Sequence, residues 1–455
     1  MLLKRAGFFA ALLALLLAAR LAYSGALWEG DVLPGAAALQ MNHGAVLYRD
    51  VWFDKPPLTA AIYLLWGAES GVPLRLAGAV YSWLACLLLF GLGSQRSRKE
   101  GYLAAALGAF FLIFDTHSGI VPLAADMLLL IPHLAAMLFA LRRQPLLAGL
   151  SAGVGFLFNA KALFVLAAAG LFLLPAVLPL AIGFAIPIAV GLIWMAATGA
   201  LSGYIDQVWH WSSLYASSPV VSDPLWNGAV RTAGWLGFHA VLVIGAATIL
   251  IRKPQWRFLA WTLICYAGVA AGWRFFPRYF LLLLPPMIVA AARGLTTLKP
   301  RWMIVLAAAT MLIPLVRFGA PYLNVRNTRD LAMDRDSRES AQIALATGGR
   351  TLYVWGYRPE LYIYTRMTPA ARWLDSQALT GVPADRHLTQ TDTVVTEGTA
   401  EARAELARSK PDVIVDGLGL YNPLLTMDRY PELRDWIAGY REAGRTRGTV
   451  IYVRR

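Results

Sequence analysis

Apolar residues along this chain come in long blocks rather than in the short alternations of a soluble domain. Blocks long enough to cross, or nearly cross, a bilayer lie at about 6–27, 72–94, 101–116, 126–141, 145–159, 161–176, 178–199, 235–251, 258–272, 279–296 and 302–319. A helix needs about 20 apolar residues to span the hydrocarbon, so the pattern predicts about eleven membrane helices, several of them short. Pro122, Pro132, Pro175, Pro187, Pro285 and Pro286 predict kinks whose freed backbone groups other helices must satisfy. Beyond about residue 320 the pattern changes. Charge rises, β-like runs stand at 351–355, 391–396, 412–415 and 449–453, and helix-like stretches at 335–346, 399–409 and 430–440 lie between them. Strands alternating with helices predict a small α/β domain. The fold expected is a polytopic α-helical membrane domain over 1–319 followed by an extracytoplasmic α/β domain over 320–455.

Composition agrees with this division. The 455 residues are 58% hydrophobic and 15% charged, with a mean hydropathy of +0.54, which excludes a soluble multidomain protein. A net charge of +14 would suit nucleic acid, but the basic residues stand in short clusters between apolar blocks. The clusters are Arg96, Arg98 and Lys99; Arg142 and Arg143; Arg252, Lys253 and Arg257; and Lys299 and Arg301. That is the positive-inside pattern of a membrane protein surrounded by lipid, and it argues against nucleic acid as a partner. With the N-terminus inside, every basic turn falls on the cytoplasmic side of the cytoplasmic (inner) membrane. An odd number of spans then places the C-terminal domain outside. Lys4 and Arg5 ahead of a short apolar run would also suit a signal peptide, but Arg20 and Tyr23 fit the outer end of an uncleaved first span. Cys86 and Cys265 each lie inside an apolar block and are expected as free thiols. Gly149-x-x-x-Gly153 and Gly91-x-Gly93 predict close helix contacts.

Three outer stretches, 28–71, 115–126 and 202–235, are too long for simple turns, and long loops are where binding chemistry is built. The first contains two weakly amphipathic segments, 32–42 and 58–69, expected to lie in the membrane interface. The third carries Trp209, Trp211, Tyr215 and Trp226, which fit an aromatic belt or the wall of a substrate site. Immediately after the first span stands Glu29-Gly30-Asp31, followed by Tyr48-Arg49-Asp50-Val51-Trp52-Phe53-Asp54-Lys55-Pro56-Pro57. A carboxylate at the mouth of a span is costly unless wet or paired, so it marks either function or simply the water boundary.

These first-loop motifs resemble the GT-C glycosyltransferases, in the branch of the protein O-mannosyltransferases and the lipid A aminoarabinose transferases. Further points of likeness are Ala125-Asp126-Met127, Asn159-Ala160-Lys161, and Arg274-Phe275-Phe276-Pro277-Arg278-Tyr279 leading into Pro285-Pro286. In the C-terminal part, Val354-Trp355-Gly356-Tyr357 with Pro359-Glu360-Leu361-Tyr362 looks like the soluble tail of bacterial members. The resemblance implies an inverting transferase that takes a sugar from a polyprenyl-phosphate donor to a protein, lipid or glycan acceptor.

Such a reaction needs a base for the acceptor and cations for the departing phosphate. By the resemblance Asp31 is the base, with Glu29 as the alternative because the commoner adjacent Asp-Glu is here Glu29-Gly30-Asp31. Lys55, Arg274 and Arg278 are assigned to the donor phosphate, and Asp126 and Asp54 to the donor sugar or a metal. Plainer readings stand beside these. Lys55 suits an interfacial lysine, Arg274 and Arg278 suit headgroup anchors, Asp126 suits a helix N-cap, Asp54 suits a surface partner for Lys55, and Lys161 suits a paired structural lysine. A divalent metal (Mg²⁺, Mn²⁺ or Zn²⁺) is an open expectation, with Asp31, Asp54, Asp126, His43, His117 and His210 as candidate ligands in no tight spacing.

Overall fold

The computed structural model describes residues 2–217, 223–252, 255–299 and 301–455; of the basic turn residues, Lys253 lies outside this set. A helix stands at every apolar block of the sequence. Among the described residues four are long and apolar enough to cross a membrane: Val72–Gly93, Val177–Ala197, Pro277–Leu295 and Arg301–Leu323. Pro224–Phe238 and Ala240–Ile251, bent by 89°, make a fifth if taken as one span. Ala125–Leu141, Pro145–Phe156, Ala162–Leu173 and Trp256–Ala270 are shorter apolar helices. The chain is therefore a multi-pass membrane protein whose short apolar blocks are short helices.

With little hydrophobic drive between helices in lipid, close packing must come from small residues. A Cβ on Gly149 would overlap the carbonyl oxygen of Leu180, and one on Gly183 would overlap that of Leu146, so Pro145–Phe156 and Val177–Ala197 meet backbone to backbone. Gly153 faces the carbonyl of Phe184 in the same seam. A Cβ on Gly93 would lie 2.7 Å from the Glu100 carbonyl oxygen, which fits the contact expected at Gly91-x-Gly93. Cys86 and Cys265 are free and buried.

Arg96 of the first basic turn, Gln255 beside the third, and Arg293 meet around Glu100. This carboxylate lies in the first turn of the helix Arg98–Phe111, whose Ser97 accepts the Glu100 amide at 3.3 Å. It pairs with Arg293 at 3.3 Å and with Arg96 at 3.7 Å, and Arg293 also donates to Gln255.

The first loop folds into the helix Glu29–Asn42 and then Leu58–Ala61, which continues as a 3₁₀ turn over Ile62–Trp66. Both expected segments are thus helical, but the first does not lie in the interface. It is buried from Asp31 to Gln40 and packs beneath the helix Glu360–Thr365 of the C-terminal domain. Its apolar residues run almost all round it, so its weak amphipathicity reflects burial on several sides.

The C-terminal domain holds five strands: β1 (Thr351–Trp355), β2 (Thr368–Pro369), β3 (Val413–Asp416), β4 (Tyr440–Arg445) and β5 (Val450–Arg454). Their order is β2-β1-β3-β5-β4, with β2, β1 and β3 parallel and β5 antiparallel to both its neighbours. Leu352 and Val354 join the large core shared with the membrane helices. Tyr353 and Trp355, on the other face, join a second core that includes Trp52 of the first loop and Trp211 of the third. Two expectations need correction. Residues 391–396 form no strand, because Val394 and Val395 donate instead to the carbonyl of Gly381. The helix expected over 430–440 ends at Ala438, and Tyr440 opens β4.

Replacing Gly149 by Leu forces a side chain into the backbone of the facing helix. We expect a loss of about 1–3 kcal/mol or more in stability, read as a lowered melting temperature in detergent. Unchanged melting would mean that the two helices are not locked at this seam.

Candidate active site

Trp28, with extended backbone, ends the first helix connection, and Glu29 opens the helix that follows. Two carboxylates in its first turn suit the positive end of the helix dipole. Residues two apart on a helix point about 200° away from each other, so Glu29 and Asp31 cannot share one face.

Asp31 turns inward and is fully buried. Its Oδ2 pairs with Arg75 at 2.9 Å, and its Oδ1 accepts from the Tyr63 hydroxyl and the Leu123 amide, both at 2.9 Å. Arg75 also donates to the carbonyls of Ala26 and Tyr23, at 2.7 and 3.3 Å. Glu29 turns the other way, is exposed, and makes no hydrogen bond or ion pair with the described residues. Gly30 between them is closely pressed. A Cβ there would lie 2.8 Å from that of Ala124, which leaves no room for the acidic residue of the commoner Asp-Glu pattern.

Glu29 stands between two cavities, and Arg278 and Tyr357 line both with it. The smaller, about 280 Å³, is built from the first loop, the mouth of the membrane helices and the third loop. It contains the cations Lys55, Lys161 and Arg278 and the aromatic residues Trp209, Trp211 and Tyr215. Lys55 is held by Asp54 at 2.9 Å, which is the pairing weighed for these two residues. Asp126 is not an N-cap: Ala124 holds that position, and Asp126 instead pairs with Lys161 at 3.0 Å and faces Arg278 at 3.8 Å. Asn159 donates to the same carboxylate at 3.1 Å, and the Lys161 ammonium lies 3.0 Å from the ring centre of Tyr279. Gln207, on a π-helical turn, clips the first loop from both sides by donating to the Tyr48 carbonyl and accepting the Phe53 amide.

The larger cavity, about 500 Å³, lies between the first loop and the C-terminal domain and is lined by Asp330, Asp334, Arg358, Glu360 and His387 besides the shared residues, Asp385 among them. Glu360 is buried against Ser337, and burial pushes its carboxyl up to about 7. Burial likewise holds the Tyr357 hydroxyl well above its ordinary value, so it remains a donor.

Of the residues singled out in the sequence, Glu29, Asp54, Lys55, Asp126 and Arg278 line the smaller cavity together. Asp31 does not line either cavity, and neither does Arg274. Arg274 is buried, pairs with Asp385 at 2.7 Å and stacks over Tyr215, so it ties the third loop to the C-terminal domain. Trp209, Trp211 and Tyr215 are cavity wall, whereas Trp226 is exposed. The candidate metal ligands do not converge on one point. Among the described residues no three His, Cys, Asp or Glu side chains converge, His117 contacts Tyr23, His210 contacts Asp206, and Asp54 and Asp126 are already matched by lysines. Arg75, Tyr63, Asp385 and His387 were not singled out in the sequence. Arg75 had a signal, as a cation inside an apolar block.

No family model matches the sequence, and neither does any curated protein. In three dimensions the chain is similar to ArnT from Cupriavidus metallidurans bound to undecaprenyl phosphate, with a TM-score of 0.63 at 13% identity over 99% of this chain and 98% of that one. The apo state of the same protein gives 0.64. The apo oligosaccharyltransferase of Archaeoglobus fulgidus gives 0.51 at 12% identity, over 94% of this chain and 71% of that one. The likeness, spanning both halves, shows that this chain has the GT-C fold.

Two measurements probe the site's scaffold. Arg75→Gln leaves the Asp31 charge buried and uncompensated, and we expect it to cost about 3–5 kcal/mol in unfolding experiments in detergent. Parent-like stability would remove this pair as the tie. Burial also raises Asp375 to about 7, from an ordinary 3.8, as it raises Glu360 from 4.5. The folded protein therefore holds more protons than the unfolded chain between these values and 7, so stability falls as pH rises through that window. Denaturation midpoints at about pH 5 and about pH 8 should differ in that direction, and Glu360→Gln should shrink the difference.

Proposed function

We propose that this protein is an inverting glycosyltransferase that moves a sugar from a polyprenyl-phosphate donor to a hydroxyl acceptor, with Glu29 as the base. The single observation that carries this reading is that Glu29 and Arg278 together line both cavities. A base and a phosphate-binding cation at one junction can serve the two ends of a single displacement.

The donor phosphate occupies the smaller cavity, where Lys55 and Arg278 offer an ammonium and a guanidinium fork, and the Trp209 and Trp211 side supports the lipid. Lys161 holds Asp126 in place for the sugar hydroxyls. The acceptor hydroxyl gives its proton to the Glu29 carboxylate as its oxygen bonds to the anomeric carbon. The bond from that carbon to the phosphate oxygen breaks, and the electron pair leaves with polyprenyl phosphate. Lys55 and Arg278 stabilise the charge that develops there, and Tyr357 can donate to the same junction. Asp31 is a positioning residue that fixes the helix carrying Glu29. The undecaprenyl phosphate bound by the Cupriavidus protein supports the donor class. The basic clusters between apolar blocks, with an odd number of blocks, support a cytoplasmic N-terminus, about eleven spans and a C-terminal domain outside the cytoplasmic membrane.

In vesicles supplied with a polyprenyl-phosphate sugar, Glu29→Gln should lower transfer by about 10²–10⁴-fold while donor binding persists. Asp31→Asn should lower transfer less than Glu29→Gln, through weakened positioning. Full transfer by Glu29→Gln together with its loss in Asp31→Asn would return the base to Asp31.

A further inference from the structure

The larger cavity carries a charge pattern that bears on the acceptor. Five carboxyl groups line it, those of Glu29, Asp330, Asp334, Asp385 and Glu360, the last left partly protonated near pH 7 by its burial, against the two guanidinium groups of Arg278 and Arg358. Both guanidinium groups are already matched: Arg358 by Asp336 at 2.5 Å, and Arg278 by Asp126 in the smaller cavity. Asp334 is engaged by Arg338 and the Leu27 amide, and Asp385 by Arg274. Asp330 has no such partner among the described residues, and Glu29 makes no ion-pair contact but faces the Arg278 charge. An anion entering here meets surplus negative charge.

A second observation shows that the cavity is built to receive a polar group. His387 is 1% exposed and lines the cavity, yet its Nδ1 has no hydrogen-bond partner among the described residues. The same is true of Nε of Arg358, also 1% exposed. Buried polar atoms are rarely left unsatisfied, and two beside one cavity point to a ligand that completes them. Burial lowers His387 to about 4, so at neutral pH the imidazole is uncharged and offers one donor and one acceptor, which suits a hydroxyl.

We infer that the larger cavity is the acceptor subsite and that it takes a hydroxyl-bearing acceptor free of phosphate and carboxylate groups near the reacting oxygen. This rests on the transfer reading above, with Glu29 at the cavity's inner end. His387 and Arg358 bind the acceptor's polar groups, and the carboxylates exclude anionic competitors, which is specificity through repulsion.

The test uses the full chain in nanodiscs and a matched pair of probes, methyl glucoside and its 6-phosphate, with binding followed by ligand-observed NMR. The neutral probe should bind at least about ten-fold more tightly, because like charges opposed across a site are costly. The double change Asp330→Asn with Glu360→Gln should narrow that gap. Equal or tighter binding of the phosphate ester, a gap that the double change leaves unmoved, or binding of neither probe would overturn the inference. Transfer from an undecaprenyl-phosphate sugar, assayed on the same preparation, reports the catalytic reading separately. A preparation that transfers sugar yet binds the phosphate ester equally well loses this inference alone.

Discussion

The buried ion pair between Asp31 and Arg75 is the contact on which the arrangement of the site depends. It joins four separate segments: the end of the first helix through Ala26 and Tyr23, the first-loop helix through Asp31, the second loop through Leu123, and the helix Val72–Gly93 through Arg75 itself. A charge taken out of water is costly unless its partner and remaining hydrogen bonds are all in place, and here every oxygen of Asp31 is engaged. The pair therefore acts as a register pin. With Asp31 fixed on the inner face, the helix has no freedom to rotate, and Glu29 must face the cavities.

Charge is divided between the two cavities in a way that matches a two-substrate reaction. Cations gather where a phosphate would lie, and each is held by a carboxylate, as Lys55 is by Asp54 and Lys161 by Asp126. Such pairs keep the site stable while it is empty, at the cost of an exchange of partners when a phosphate arrives. The larger cavity has the opposite balance, with carboxylates in excess. Arg278 and Glu29 lie where the two meet, each facing charge of the other sign.

Much of the fold was legible in the sequence, because membrane helices follow from apolar length and the C-terminal strands from short β-branched runs. Every apolar block is a helix, and the glycine spacing at Gly149 and Gly153 marked a true backbone contact. The failures were local. The stretch 391–396 has the composition of a strand, but the amides of Val394 and Val395 donate to the Gly381 carbonyl rather than to a strand. In the site, residue types and loop were legible, and Lys55, Asp126 and Arg278 do come together. Which of the two carboxylates faces the cavities was not, although helical geometry held the clue: the acidic residues are two apart on one helix. Arg274 looked like a phosphate ligand because its partner, Asp385, lies 111 residues away and carries no local signal.

The contacts that close the C-terminal domain over the membrane helices have a consequence for how this protein could be rebuilt. Trp52 and Trp211 sit inside that domain's core, the Trp52 amide donates to the carbonyl of Arg372, and Arg274 reaches across to Asp385. Part of the domain's interior is thus supplied by the membrane loops. The domain is not a detachable module: expressed alone it would expose the seats of two tryptophans, and grafted onto another membrane half it would carry its acidic cavity wall but lose the loop that completes it.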